Sequence, residues 1–313
     1  MVAIQLTSDA GSPVEVPGVA RDVEALGYKA LWMGEVNAVD VVIPASVAAL
    51  NTSSIVIGSL FNVFTRAPTN VALAAAGLGH LAPGRMAIVL GASSPLLVEG
   101  WNGIPYDRPY DRVRDYLHFV EVALSGRPVS GPFSTFSSSG FSIDNPPIAP
   151  PRILVAAAMP RTMRLGSDDA DGLVLNWLSP RDLDRLEALR CSRDRIWLST
   201  LVCPSPDPQV VDEMLRPLIA DYLSAPAYAG LQQMVGRGPA LEAMWERFSA
   251  ADRPGARAQL PRAVIDELVV SGTPEECGAR LRADERRYGV HLVATLYLAK
   301  GQSYREVIRD MAG

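Results

Sequence analysis

Residues suited to chemistry follow short apolar runs in this chain. Residues 91–101, GASSPLLVEGW, come directly after MAIVL (Met86–Leu90), which reads as a buried strand. Gly91, Ala92, Ser93 and Ser94 are small enough to let the backbone approach a ligand, and the two hydroxyls both donate and accept hydrogen bonds. Beyond them, Val113, Leu117, Val120 and Leu124 fall at helical spacing, so the unit is strand, working loop, helix. Trp101 and Tyr106 lie in that loop, where they suit the wall of a substrate cavity. Asp9, Glu35, Ser59, Met159 and Asn176 stand just beyond other apolar runs. An ordinary strand-to-helix connection is the plain alternative at each place.

Several chemistries find no support. The three histidines are scattered, with His80 and His118 in helical patterns and His291 opening a strand, so no metal ligand set emerges. Cys191, Cys203 and Cys277 are odd in number and lack CxxC spacing, which argues against a disulfide framework or a zinc site. No GxSxG elbow, phosphate-binding P-loop or GxGxxG fingerprint is present. The net charge of −5 and the dispersed arginines argue against nucleic acid. No apolar run approaches the roughly 18 residues needed to cross a bilayer, and the first residues lack an export signal, so a cytoplasmic protein without a membrane role is expected. Only Lys29 and Lys300 are lysines, against 27 arginines, the imbalance that GC-rich codons of an actinomycete would produce.

The elements that must position these residues alternate throughout. Candidate strands are Val2–Leu6, Ala30–Met33, Ile55–Gly58, Met86–Leu90, Ile153–Ala157, Gly172–Leu175, Ile196–Val202 and Leu292–Leu298, with amphipathic helical patterns between them. Helix starts are marked at Ser179-Pro180 and at Thr273-Pro274-Glu275-Glu276, where Thr273 and Glu276 can form a capping box. Eight alternations without a compositional break predict one domain over residues 1–313, an α/β fold of the (β/α)8 TIM-barrel type; a doubly wound open sheet is the alternative. Residues 127–151 and 207–263 do not fit the repeat and read as insertions. In a barrel the loops after the strands share one face, which gathers the residues named above.

The loops resemble those of the luciferase-like flavin and deazaflavin oxidoreductases, particularly the short branch typified by methylenetetrahydromethanopterin reductase. The likeness is carried by GYKALWMGE (Gly27–Glu35), TSSIVIG (Thr52–Gly58), NVFTRAP (Asn62–Pro68) and LAPGRMAIVLGAS (Leu81–Ser93). It continues through ADGLVLNWLSP (Ala170–Pro180) and VVSGTPEECGARL (Val269–Leu281). The resemblance implies a (β/α)8 barrel that binds coenzyme F420, a deazaflavin whose reduced ring donates hydride and reacts poorly with oxygen. The implied reaction is F420H2-dependent hydride transfer to a C=C or C=N bond of a small organic substrate, in actinomycete natural-product biosynthesis. FMN-dependent monooxygenation is one alternative. A non-catalytic cofactor-binding pseudoenzyme is another, suggested by Val36 and Ala67, where relatives often carry histidine. Dimeric relatives imply a homodimer by analogy.

The same resemblance implies roles for single residues. A non-prolyl cis peptide is expected at Ser59-Leu60, forming a bulge behind the ring. Asn62 and Asn176 are expected on the polar edge of the deazaflavin, with a helix cap as the rival role of Asn176. Residues 91–94 would meet the polyol or phosphate. The loop Ala158-Met159-Pro160-Arg161, leading into a helix, would hold phosphate. Glu35, with Asp9 and Asp40 behind it, is the candidate general acid, because reduction needs a proton beside the hydride. A salt bridge or cap is the rival for each carboxylate, and pairing with a carboxylate is the rival for Arg66. Trp101, Tyr106 and Phe61 would line the substrate cavity, whereas Trp32 is expected in the core.

Overall fold

The computed structural model describes residues 2–6, 13–35, 37 and 39–313. The first half runs β1 (Ala3–Gln5), α1 (Val16–Ala25), β2 (Ala30–Met33), α2 (Val42–Leu50), β3 (Val56–Asn62), α3 (Pro68–Leu81), β4 (Met86–Gly91) and α4 (Pro109–Leu124). A hairpin of β5 (Val129–Pro132) and β6 (Ser137–Phe141) precedes β7 (Arg152–Ala157), α5 (Pro160–Asp168), β8 (Gly172–Leu175) and β9 (Ile196–Cys203). Then come α6 (Pro208–Leu223), α7 (Pro226–Met234), α8 (Gly238–Ser249), α9 (Arg253–Gln259) and α10 (Arg262–Leu268). The chain ends with β10 (Val269–Ser271), α11 (Pro274–Tyr288), β11 (His291–Leu296) and α12 (Tyr304–Ala312).

The strands pair in the order β11-β1-β2-β3-β4-β7-β8-β9, and β9 pairs again with β11, closing a parallel barrel. The eight expected strands are its staves. Residues 127–151 hold the β5–β6 hairpin, which packs against α4 through Phe119, Phe133 and Phe136. Residues 208–268 hold α6–α10. These helices build their own apolar core from Val211, Leu215, Ile219, Leu241 and Met244 against Leu201 and Cys203 of β9. Because β8 pairs with β9 only as far as Leu198, the upper edge of β9 is free to take β10, through Val269↔Leu201. Thr273 and Glu276 make the expected reciprocal cap of α11.

Side chains alternate between the barrel interior and the helical layer because successive strand residues point to opposite faces. Ala30, Trp32, Ala87, Val89, Leu154, Val174, Trp197 and Val293 form the inner cluster, while Leu31, Ile57, Phe61, Ile88 and Leu90 belong to the outer one. Trp32 and Trp197 fill the interior with ring centroids 4.9 Å apart. Gly58 gives Trp32 its space, since a Cβ there would lie 2.3 Å from the indole. Towards the mouth the interior turns polar: Thr295 donates to Gln5 at 3.1 Å and lies 3.1 Å from Ser199.

Two expectations at β3 are not met, because the strand continues in register past Gly58 and its side chains keep alternating. The strand runs on to Asn62, and Ser59 and Leu60 keep regular register with β4. No cis peptide occurs among the described residues, so the Ser59-Leu60 bulge is absent. Ser59 is fully buried on the helical side, and Phe61 is fully buried beside it, so neither side chain reaches the mouth.

Gly58→Ala should therefore cost about 1–3 kcal/mol by overpacking against Trp32, whereas Gly77→Ala, on α3 with open space around it, should stabilise by about 0.5–1 kcal/mol; urea unfolding compares them. Glu24 gives an acid-sensitive tie between α1 and the turn before β3. Burial opposes its ionisation, but the N–H groups of Ser53, Ser54 and Ile55 and the Ser54 hydroxyl outweigh that and lower it from 4.5 to about 2. Its stabilisation is present above pH 4.5 and is lost as pH falls towards 2. In Glu24→Gln the urea midpoint should fall less steeply across that window than in the parent; equal slopes would remove Glu24 from the acid response.

Candidate functional site

The tips of β2, β3 and β4 enclose a cavity of about 360 Å³. It is lined by Glu35, Asp40, Asn62, Thr65, Arg66, Leu97, Trp101 and Asn102. Its size falls within the range of small-ligand pockets. Glu35 follows β2, Asn62 ends β3 and Trp101 follows a single π-helical turn (Leu96–Gly100) after β4. The expected polar groups of three separate loops therefore meet. Asp9 lies outside the described residues.

Arg66 organises the inner wall. Its Nε donates to both Glu35 oxygens at 3.0 Å, and its Nη2 reaches Glu35 Oε1 at 2.5 Å and Asp40 Oδ2 at 2.7 Å. Hydrogen bonding to Glu35 raises Arg66 above its ordinary value against the pull of burial, and Asp40 adds to the rise. Burial works against ionisation of Asp40, yet the Val42 N–H and Arg66 outweigh it and hold the carboxyl below its usual range. Tyr116 of α4 donates to the Arg66 carbonyl at 2.6 Å, and the guanidinium lies 5.4 Å from the buried Phe61 ring. Phe61 thus supports the arginine from below and does not line the cavity. Glu35, expected as the proton donor, spends both oxygens on a bidentate pair, the arrangement of its rival role.

Asn62 accepts the Phe64 N–H through Oδ1 at 2.9 Å, leaving its amide NH2 as the group available to a ligand. Gly91 is buried at the end of β4; Leu60 and Ala156 join the inner cluster next to it, and a Cβ on Gly91 would stand 3.3 Å from that of Ala156. This part of the mouth has a small, apolar floor. Ala92 is half-buried, Ser94 accepts the Val98 N–H through its carbonyl at 3.0 Å, and Ser93 is exposed in a left-handed conformation with φ 61°. Tyr106 donates to the Ser93 carbonyl at 3.3 Å and stacks on Phe64 at 4.9 Å. Tyr106 therefore braces the loop, and Trp101, half exposed, is the aromatic residue that lines the cavity.

The far side of the mouth is built by β7, β8 and the inserted helices. Ala158 is half-buried, and α5 begins at Pro160 behind Met159 without a side-chain cap, so its first N–H groups are not spent on a capping side chain. Arg161 leans on the Tyr110 ring at 4.0 Å. Asn176 does not cap the short helix after Ser179, because Ser179 itself donates to Asp182 through N–H at 2.6 Å and O–H at 2.9 Å. Asn176 and Trp177 instead adjoin Tyr228, whose ring stands edge-on to Trp177 at 6.1 Å and whose phenol burial pushes up to about 12. Trp177 stacks on Tyr222 at 4.4 Å. Thr65, Leu97, Asn102, Tyr222 and Tyr228 carry no signal in the sequence that singles them out. Asn102 adjoins the Trp101 already singled out, but nothing in an amphipathic helix pattern marks Tyr222 or Tyr228 as facing the mouth.

Comparison with known proteins agrees with this architecture. The chain belongs to the luciferase-like monooxygenase family, whose model matches residues 2–292. A Mycobacterium tuberculosis protein named as a coenzyme F420-dependent oxidoreductase is 24% identical, covering 92% of this chain and 91% of its own. The F420-dependent tetrahydromethanopterin reductase of Methanopyrus kandleri superposes with a TM-score of 0.78 at 18% identity, covering 99% of this chain and 96% of that one. An F420-dependent secondary alcohol dehydrogenase with an F420–acetone adduct gives a TM-score of 0.77 at 14% identity, with 99% and 97% covered. These likenesses in structure show the shared barrel.

Glu35→Gln separates the two duties of that carboxylate. As the partner of Arg66, its loss should lower stability to urea by about 1.5–3 kcal/mol, and turnover should fall by less than about tenfold. A fall of about 10²–10⁴ in turnover, with cofactor affinity intact, would return the proton-donor role to Glu35.

Proposed function

We propose that this chain is an F420H2-dependent oxidoreductase that moves a hydride between the deazaflavin and a C=C or C=N bond of a small organic substrate. The observation that carries the reading is the end-to-end correspondence with proteins named for F420, together with a mouth whose floor beside Gly91 is apolar. When bound, the cofactor supplies the hydride; the protein supplies orientation.

The residues present fit such a group. Ala92, half-buried beyond β4, lets a flat ring approach the backbone, and the free amide NH2 of Asn62 offers a donor at the rim of β3. The uncapped start of α5, beside Arg161, offers N–H groups and a cation to an anionic tail. The cavity beside Trp101, Leu97 and Asn102 takes the substrate, with Asn102 held by its own bond to the Leu97 carbonyl at 2.6 Å. Reduction consumes a proton as well as a hydride; Glu35 and Asp40 line that cavity but are committed to Arg66, so neither is assigned as the donor.

FMN-dependent monooxygenation is the second reading, favoured by the description of the family itself. The purified protein should bind F420 at least about tenfold more tightly than FMN, a difference of about 1.4 kcal/mol, in parallel fluorescence titrations. Oxygen-dependent oxidation of FMNH2, with neither binding nor oxidation of F420H2, would overturn the proposal.

A further inference from the structure

The inserted helices reach the mouth through one run of buried polar contacts. Arg237, just before α8, is 5% exposed and donates to Asp182 at 2.7 and 3.0 Å, to Gln232 Oε1 at 3.0 Å and to Glu267 at 2.8 Å. Gln232, fully buried in α7, turns its own NH2 to the Trp177 carbonyl at 2.8 Å. Trp177 sits directly beyond Asn176 with φ 62°. That conformation is costly for a bulky residue and persists only where the surroundings over-determine it. Here the surroundings are the Gln232 amide on one side and, on the other, Tyr222 stacked at 4.4 Å with Tyr228 edge-on at 6.1 Å. A buried ion pair such as Asp182–Arg237 seldom adds stability over apolar packing, so the geometry it imposes is its better explanation.

Resting on the hydride-transfer reading, we infer that Gln232 and Arg237 are positioning residues, which hold Trp177 in its left-handed turn and thereby aim Asn176 and the Trp177–Tyr228 wall at the cofactor side of the mouth. The insertion thus sets the geometry of the β8 side of the mouth.

Gln232→Met keeps the side-chain length but can neither donate to Trp177 nor accept from Arg237. It should weaken cofactor binding about three- to tenfold, the loss of one hydrogen bond, and should make Trp177 more accessible to acrylamide. The Trp177 signal is taken as the fluorescence difference from a Trp177→Phe partner. Because a single Arg237 variant would strand Asp182, the double variant Asp182→Asn/Arg237→Gln is measured alongside, with the same expected weakening. Lowered urea stability with wild-type affinity and wild-type Trp177 accessibility would make the network merely structural and overturn the inference. F420 and FMN are titrated in parallel. If the parent binds only FMN, the hydride reading falls, and the positioning role is still judged on FMN affinity and on the cofactor-independent Trp177 signal.

Discussion

Closure of the parallel ring is the constraint on which the rest of this molecule depends. Once β8 pairs with β9 and β9 with β11, every strand is covered on both faces, and each residue is committed to the interior or to the helical layer by its parity along the strand. Filling the interior with two tryptophans is possible only because Gly58 stands opposite Trp32. The same parity that sends Gly58 and Leu60 inward sends Ser59 and Phe61 outward, and it lifts Asn62 onto the cavity. The floor of the site and the core beneath it follow from one geometric rule.

Charge along the inner wall of the cavity is arranged around Arg66. Arg66 sits between Glu35 and Asp40 and is held from behind by Tyr116 and Phe61. A guanidinium suits this place because its planar fork meets one carboxylate bidentately while another nitrogen reaches a second. The carboxylates thereby become fixed features of the cavity wall, Glu35 with both oxygens on Arg66 and Asp40 shared between Arg66 and the Val42 N–H.

The insertion adds what a plain barrel lacks. Its own core around Leu215, Ile219 and Met244 makes the helices rigid enough to carry tyrosines to the rim, and its buried arginine ties them to the β8 loop. Among the described residues, Ser93 after β4 and Trp177 after β8 take positive φ, one bonded by Tyr106 and the other packed against Tyr222 and Tyr228. Strain at the rim is thus met by aromatic contact at both positions.

Much of this was legible in the residues alone. Apolar runs of strand length, helical periodicity between them and the Thr273–Glu276 cap are local signals, so β2 and β8 appear with the boundaries the sequence predicts and the closed barrel follows from their alternation. The meeting of Glu35 and Asn62 at one cavity was also legible, because the fold places all strand ends on one face. What the sequence could not decide was side-chain direction at β3. Whether the strand stops at Gly58 or continues to Asn62 depends on its neighbours' hydrogen bonds, and that one difference removes Ser59 and Phe61 from the site. Nor could it tell that Glu35 would meet Arg66, 31 positions away, or that Gln232 would meet Trp177, 55 away. Such pairings are set by how loops and inserted helices pack on the barrel, and only the tertiary structure contains that information.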